Sequence, residues 1–193
     1  MNVRLLISLA PLALLACSPA ATPTRPPLEG ARIGGPMSLI DQDGKPFSDQ
    51  ALNGKYRIVY FGYTFCPDVC PLDAQNIGAA LKLLEKTDPT LARNIVPIVI
   101  TVDPARDTPA VMKQFVSAFH PRMVGLTGSP EEIARVAKEY GVYFKRGAGT
   151  PDGYMMDHSR QAYLMSPDGK PLALLPQEGP PQGIVDEIKR WAK

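Results

Sequence analysis

Two cysteines spaced as a reactive pair follow an apolar run. Cys66 and Cys70 are separated by three residues, and residues 58–61 before them read Ile-Val-Tyr-Phe. That run is β-branched or aromatic, which is typical of a buried strand rather than a helix. A dithiol of this kind can form a redox disulfide or give a metal ion two soft ligands, and both roles require the thiolate. The sequence therefore places reactive sulfur just past the carboxyl end of a strand, where an open α/β sheet binds its ligands.

The residues around the pair argue against an inert structural role. Each cysteine is followed by proline and Asp68 lies between them, so the segment is predicted to be an exposed loop. A helix follows, because Pro71 suits a first turn and apolar side chains recur at Ile77, Leu81 and Leu84. We expect its positive end to favour the thiolate form of both cysteines. No further cysteine lies nearby to complete an iron-sulfur or four-cysteine zinc site.

The chain has two histidines that can supply a third donor. His120 lies between Phe119 and Pro121 at the end of a predicted helix, where capping or packing is the usual role. His158 follows a glycine-rich segment, residues 147–153, in a predicted polar loop before a strand. That loop can bring His158 across to the sheet edge that carries the dithiol.

Two thiolates and one imidazole form a soft site that suits copper, and zinc accepts the same donors, usually with a fourth ligand. Met155 and Met156 can add thioether sulfur, although packing is the commoner use of both. Asp157 and Asp103 are the candidates for a hydrogen bond that orients the imidazole. For Asp103, which follows the next predicted strand on the same sheet edge, ordering its own turn is the alternative.

The amino-terminal residues have the pattern of an export signal. Residues 1–4 include one arginine, and residues 5–16 are almost all apolar but too few to span a bilayer as a helix. The run ends in Leu14-Leu15-Ala16-Cys17, which resembles the lipobox at which a bacterial signal peptide is cleaved and its cysteine lipidated. We predict a lipoprotein signal peptide over residues 1–16, with Cys17 lipidated; the alternative is an ordinary cleaved signal followed by an unrelated cysteine.

The segment after the signal is rich in proline and has no apolar periodicity. Residues 17–32 are therefore predicted to be a tether, and residues 33–193 one folded domain. Proline-rich chain extends by about 3 Å per residue, so ~15 residues reach roughly 45 Å from a membrane. These features place the protein in the bacterial cell envelope, anchored and facing the periplasm, with the inner membrane favoured. Reduced thiols in that oxidising space need a reductant or a bound metal to persist.

The charge pattern excludes one class of partner. The formal net charge is +2, and the lysines and arginines are dispersed rather than gathered in a stripe. Because nucleic-acid binding requires a concentrated basic surface, no nucleic-acid partner is expected.

The rest of the chain alternates predicted strands and helices. Strands are predicted over residues 95–102, 123–127, 142–145, 161–165 and 172–175, and helices after Pro71, Thr108 and Ser129 and at the carboxyl terminus. A hairpin with an Asp43-Gly44 turn is predicted over residues 37–48, and Pro97 predicts a strand end or a bulge. The order indicates an α/β, thioredoxin-like fold with an N-terminal β-hairpin and an inserted loop that carries the histidine.

Three motifs occur in order along the predicted domain. They are Phe61-Gly62-Tyr63-Thr64-Phe65-Cys66-Pro67-Asp68-Val69-Cys70-Pro71, then Asp103-Pro104 with Arg106-Asp107-Thr108, then Asp157-His158-Ser159 with Tyr163-Leu164. Together they resemble the Sco/SenC family, thioredoxin-fold copper proteins that assist assembly of the binuclear CuA centre of cytochrome c oxidase. The resemblance covers roughly residues 33–191, which is far more specific than the cysteine spacing alone.

The resemblance implies copper as the bound ion, with Cys66, Cys70 and His158 as ligands and the two cysteines as a redox pair. It implies three partners: the oxidase subunit that carries CuA, a periplasmic thiol reductant and the membrane. The family also includes members assigned to thiol-disulfide reduction, so two functions stay open, a copper metallochaperone and a thiol-disulfide oxidoreductase. His158 favours the chaperone, since dithiol exchange needs no imidazole. A peroxidase on the same fold is disfavoured, because its reactive cysteine usually lies in a different local motif.

Overall fold

The apolar run before the cysteines forms an interior strand of a seven-stranded sheet in the computed structural model, which describes residues 24–150 and 153–193. The strands of this part of the chain are β1 (Ser38–Asp41), β2 (Pro46–Ser48), β3 (Tyr56–Gly62), β4 (Ile95–Thr101), β5 (Val124–Thr127), β6 (Phe144–Thr150), β7 (Gly153–His158), β8 (Ala162–Met165) and β9 (Pro171–Leu175). The sheet order is β2-β1-β5-β4-β3-β8-β9, while β6 and β7 form a separate pair. The cysteine loop follows β3, which is buried over all but its first residue.

Five α-helices occur in the described residues. They are α1 (Val69–Thr87), α2 (Pro89–Arg93), α3 (Pro109–Ser117), α4 (Pro130–Glu139) and α5 (Pro181–Trp191). β3 pairs in parallel with β4 and antiparallel with β8, α1 packs against α5, and α3 packs on β5. This is the thioredoxin-like α/β arrangement that the element order predicts, so the fold class is confirmed. The predicted hairpin is also present as β1 and β2, and its turn residue Gly44 has a φ of 76°.

The expectation of a strand end or bulge at Pro97 was wrong. Pro97 lies inside β4 and pairs regularly with Ile58 of β3. β4 and β5 pair only from Ile98 onward, so the strand carries a proline just before that second ladder begins.

The glycine-rich segment before His158 was also predicted wrongly as a loop. β6 and β7 form an antiparallel hairpin across it, with a register shift between Arg146 and Gly149. A Cβ built on Gly147 would lie 3.1 Å from the Met155 carbonyl oxygen, so glycine there permits a close approach of the two strands. His158 is consequently the last residue of a strand, where it pairs with Phe144, and not a loop residue.

The amino-terminal predictions fall largely outside the described residues. The signal peptide over 1–16 and Cys17 lie there, as does the first part of the tether. The later part of the predicted tether is attached to the domain, because Leu28 N–H donates to the Leu172 carbonyl oxygen at 3.0 Å and its side chain packs on the core. Within the described residues, no helix combines the length and apolar character needed to cross a bilayer.

Candidate metal centre

The two cysteines lie on either side of the start of α1. Cys66 precedes the helix and Cys70 occupies its first turn, where the Cys70 N–H donates to Cys66 Sγ at 3.4 Å. Both are free thiols. The helix start therefore sets the relative position of the two sulfurs.

The predicted loop is exposed at Phe65, Pro67 and Asp68, but its two cysteines are buried. Cys66 is 8% exposed and Cys70 is fully buried. Burial raises the pKa of the Cys70 thiol to about 12, so loss of water outweighs the helix end that was expected to favour its thiolate. With this pKa the Cys70 thiol is protonated at neutral pH unless a metal ion displaces the proton.

A buried carboxylate that the sequence analysis did not single out orders the cysteine loop. Asp107 accepts hydrogen bonds from the Thr64 N–H at 3.1 Å, the Thr64 hydroxyl at 2.6 Å and the Thr101 hydroxyl at 2.5 Å. Burial raises the pKa of Asp107, and these donors oppose that shift. The loop after β4 thus fixes the loop after β3.

His158 reaches the dithiol from the end of β7. Its Nε2 lies 3.3 Å from Cys70 Sγ, and its Nδ1 lies 2.8 Å from the Ser159 carbonyl oxygen. Because a carbonyl only accepts, Nδ1 carries the proton and Nε2 presents a lone pair to Cys70. The Tyr63 ring packs edge-on against the imidazole at 5.8 Å between centroids. The structure thus brings Cys70 and His158 together, as predicted.

Neither carboxylate predicted to orient His158 does so. Asp103 accepts from Arg106 Nε at 2.5 Å and from the Tyr154 hydroxyl at 2.8 Å, and Asp157 is exposed beside Lys145 on the neighbouring strand. The Ser159 carbonyl makes the orienting bond instead, because the backbone after β7 turns back toward the ring.

Asp103 takes part in a second arrangement, which fastens the β6–β7 hairpin over the cysteine loop. The Arg106 guanidinium lies 3.7 Å from the centre of the Tyr154 ring and 4.7 Å from that of Phe65. Arg146 lies 3.8 Å from the same tyrosine ring. Cation–π stacking and the Asp103 hydrogen bond therefore join β7 to the loop after β4.

A cleft of about 210 Å³ opens beside these groups and is lined by Cys66, Met155, Met156 and His158, among others. Met155 is 43% exposed and its sulfur lies 3.8 Å from the Tyr63 hydroxyl, whereas Met156 packs against the core. Packing is therefore the role of Met156, and Met155 places a thioether at the cleft mouth. His120, by contrast, is buried at the end of α3, where its Nδ1 accepts from the Arg122 N–H at 3.1 Å.

The donors suit a soft ion, although they do not yet surround one. Two donors bound to one metal ion lie about 3.5 Å apart when each bond is 2.0–2.3 Å, and Cys70 and His158 lie close to that separation. Cys66 borders the same cleft as His158. In the part of the chain that is described, however, no three His, Cys, Asp or Glu side chains are closed into a metal-binding group. Two donors are in place and the third is adjacent.

Comparison with known proteins agrees with this arrangement. The SCO1/SenC family model matches residues 25–193. Protein SCO1 homolog 1 of Arabidopsis thaliana mitochondria is 40% identical over 84% of this chain, which spans only 49% of that relative. The structure of Bradyrhizobium japonicum ScoI with copper bound is 42% identical, with a TM-score of 0.74 over 82% of this chain and 99% of that one.

A more distant structure of the same fold belongs to a protein with a disulfide switch. BsSco, a member of the Sco family of cytochrome c oxidase assembly proteins with an identified disulfide switch, is 27% identical, with a TM-score of 0.63 over 88% of this chain and 95% of that one. The family match covers nearly the whole described domain, and the dithiol and histidine lie together within it. The chain therefore belongs to the SCO1/SenC family.

Proposed function

We propose that this protein is a copper metallochaperone that binds copper through Cys66, Cys70 and His158 and assists assembly of the CuA centre of cytochrome c oxidase. The observation that carries the proposal is the 3.3 Å contact between Cys70 Sγ and the lone-pair nitrogen of His158. Thiol exchange does not need an imidazole in that place, whereas a soft metal site does. The copper-bound ScoI structure, 42% identical, supports copper as the cargo.

In this proposal the protein's own groups hold and release the ion. Cys66 and Cys70 supply sulfur, and the Ser159 carbonyl keeps the imidazole turned toward the cleft. Oxidation would remove two electrons and two protons from the thiols and form one S–S bond, leaving no thiolate donor. A periplasmic thiol reductant therefore controls loading, and the oxidase subunit that carries CuA receives the ion.

Replacing His158 tests the metal site directly. We expect His158→Ala to weaken Cu(I) binding by about tenfold or more, since even groups that only orient ligands are worth 10–100-fold in affinity. A competition titration of the reduced protein against a Cu(I) chelator measures this. His120→Ala is the matched control and should bind as the wild type does. Unchanged affinity in the folded His158→Ala variant would remove the imidazole from the site.

A thiol-disulfide oxidoreductase is the second candidate, because Cys66 and Cys70 lie together as free thiols. Here the pair becomes a disulfide while a client disulfide takes up the two electrons and two protons. Oxidase activity in cells grown at limiting copper separates the two functions. Loss with both His158→Ala and Cys66→Ser supports copper transfer. Loss with Cys66→Ser alone points to reduction of the client's cysteines, with copper brought by another protein.

A further inference from the structure

An ion pair between a buried carboxylate, Asp73, and the partly exposed Arg160 lies one helical turn beyond Cys70. Asp73 of α1 is fully buried, and Arg160 contacts both of its oxygens, with Nη2 2.9 Å from Oδ1 and Nε 3.2 Å from Oδ2. The hydroxyl of Tyr60 donates to the same carboxylate at 2.9 Å. Asp73 and Arg160 are far apart in the sequence. Neither the cysteine spacing nor the motif around His158 predicts their contact.

The pair joins the helix that carries Cys70 to the segment that carries His158. Arg160 follows His158 by two residues, and Ser159 between them supplies the carbonyl that fixes the ring. The Arg160 carbonyl also accepts from the Gln177 amide, and the Gln177 carbonyl accepts from Asn76 of α1 at 2.9 Å. The backbone that orients the imidazole is thus held to α1 at two points.

Stability alone is a weak reason to bury such a pair. Removing the Asp73 charge from water costs several kcal/mol, Arg160 remains partly exposed, and well-packed apolar residues often replace a buried pair without loss. What a bidentate arginine and carboxylate add is a fixed geometry. Here the contact fixes the segment that carries His158 relative to α1, which carries Cys70.

We propose that Asp73 and Arg160 are positioning residues that hold His158 Nε2 against Cys70 Sγ and thereby set the affinity and nitrogen coordination of the bound copper. The proposal rests on the copper-binding function proposed above. Arg160 does not act as a ligand, and its effect passes through His158. An alternative, in which the guanidinium acts on Cys70 through its charge alone, makes a different prediction.

A double-mutant cycle distinguishes the two mechanisms. Cu(I) affinity is measured by chelator competition on the reduced, full mature chain for wild type, Arg160→Met, His158→Ala and the combined variant. We expect Arg160→Met alone to weaken binding by about 10–100-fold, as for other groups that orient a metal ligand. In the His158→Ala background, Arg160→Met should weaken Cu(I) binding further by less than about twofold. Equal losses in both backgrounds, or no loss in the single variant, would overturn the proposal.

Coordination of copper by nitrogen can be measured separately. It would not change if Arg160 affected only the stability of the fold. The Cu(II) adduct of Arg160→Met should lose the nitrogen hyperfine coupling in its EPR spectrum, as that of His158→Ala does. Arg160→Lys keeps the charge but not the two-point contact, so it should restore the signal only in part. A full nitrogen signal in Arg160→Met would contradict the proposal.

A variant that removes both charges together is the control for loss of folding. Asp73→Asn combined with Arg160→Met leaves no unpaired buried carboxylate, so this protein should fold and still show the weakened copper binding. Arg135→Met, at an exposed pair with Glu139 in α4, is the matched control and should bind as the wild type does. Native affinity in the folded double variant would also refute the positioning role. If the wild type fails to bind Cu(I), or His158→Ala binds normally, the proposed function fails first and this inference falls with it.

Discussion

A single hydrogen bond joins Cys70 and His158. Burial lowers the pKa of His158, so the imidazole is neutral, and burial raises the pKa of Cys70, so the thiol is protonated. With Nδ1 committed to the Ser159 carbonyl, the thiol donates to Nε2. The space that the proton occupies is therefore the space between two of the proposed copper ligands.

His120 offers a pH test that is separate from the metal site. Burial lowers its pKa below the ordinary 6.5, although Glu85, 3.4 Å from Nε2, opposes the shift. The unfolded chain takes up this proton near pH 6.5 and the folded chain only at lower pH. His120 therefore stabilises the fold above pH 6.5, and that contribution is lost as the pH falls toward the lower folded pKa. We expect the urea-derived free energy of unfolding to fall between about pH 7 and pH 5.

The His120→Gln variant should show a shallower fall over the same range. His158→Gln is measured beside it, because burial lowers the pKa of His158 as well and each histidine should account for part of the slope. A slope in His120→Gln identical to that of the wild type would contradict the prediction.

The sequence could predict which residues lie together at the site but not the groups that hold them. Residue type and motif order identified Cys66, Cys70 and His158, which border one cleft or contact each other. Asp107 lies 43 residues from Thr64 and Arg160 lies 87 residues from Asp73, and only the packing of separate loops brings each pair together. For Asp103 the sequence left two roles open, and the structure shows its carboxylate bound to Arg106 in its own turn and to Tyr154 of β7.

In helix α1, close packing leaves no room for a side chain at Gly78. A Cβ on Gly78 would lie 2.9 Å from the Phe119 carbonyl oxygen, at the end of α3. By helix propensity, Gly78→Ala would stabilise α1 by about 1 kcal/mol. The backbone contact should reverse this, and we expect a net loss of about 1–3 kcal/mol in the free energy of unfolding.

Urea unfolding of Gly78→Ala beside Ala79→Gly checks this prediction. Ala79 is the next position of the same helix and is partly exposed, so its change reports propensity without the contact. A gain in stability for Gly78→Ala would show that α1 and the end of α3 can separate at no cost.

Local signals explain which elements the sequence could predict. Both hydrogen bonds of the capping box between Ser129 and Glu132 are present, and the apolar strand β3 is buried as expected. Each of these features depends on residues that are close together in the sequence. The β6–β7 hairpin was missed because glycine usually marks a loop, whereas here Gly147 serves close strand pairing. The prediction at Pro97 was wrong for a similar reason. Pairing between β4 and β5 begins only at Ile98, so the proline removes no hydrogen bond from it.

For the molecule as a whole, membrane attachment is predicted to depend on Cys17. The apolar run that ends at this residue indicates a lipid anchor, so Cys17→Ser should move the protein from the membrane to the soluble fraction. Fractionation with a high-salt wash, followed by mass measurement of the amino terminus, tests this. Ser18→Ala is a suitable control and should stay attached. A Cys17→Ser protein that is still cleaved and still resists the wash would disprove the lipobox interpretation.

The docked Leu28 shortens the reach of that anchor. Between the predicted anchor at Cys17 and Leu28, a chain extending by about 3 Å per residue spans at most roughly 30 Å. With such an anchor, the cleft lined by Cys66 and His158 would lie close to the membrane surface, which suits a membrane-bound partner.

The burial of Cys70 also affects how strongly cations can bind its sulfur. A thiol with a pKa of about 12 must give up its proton before it binds any cation, so hydrogen ions compete with the cargo at every pH at which cells live. Each proton so displaced makes apparent affinity rise about tenfold per pH unit. Hard ions such as Mg²⁺ and Ca²⁺ bind sulfur too weakly to win that competition, whereas thiophilic Cu(I) does. The buried thiol therefore adds a cost of proton release that ions with weak affinity for sulfur do not overcome.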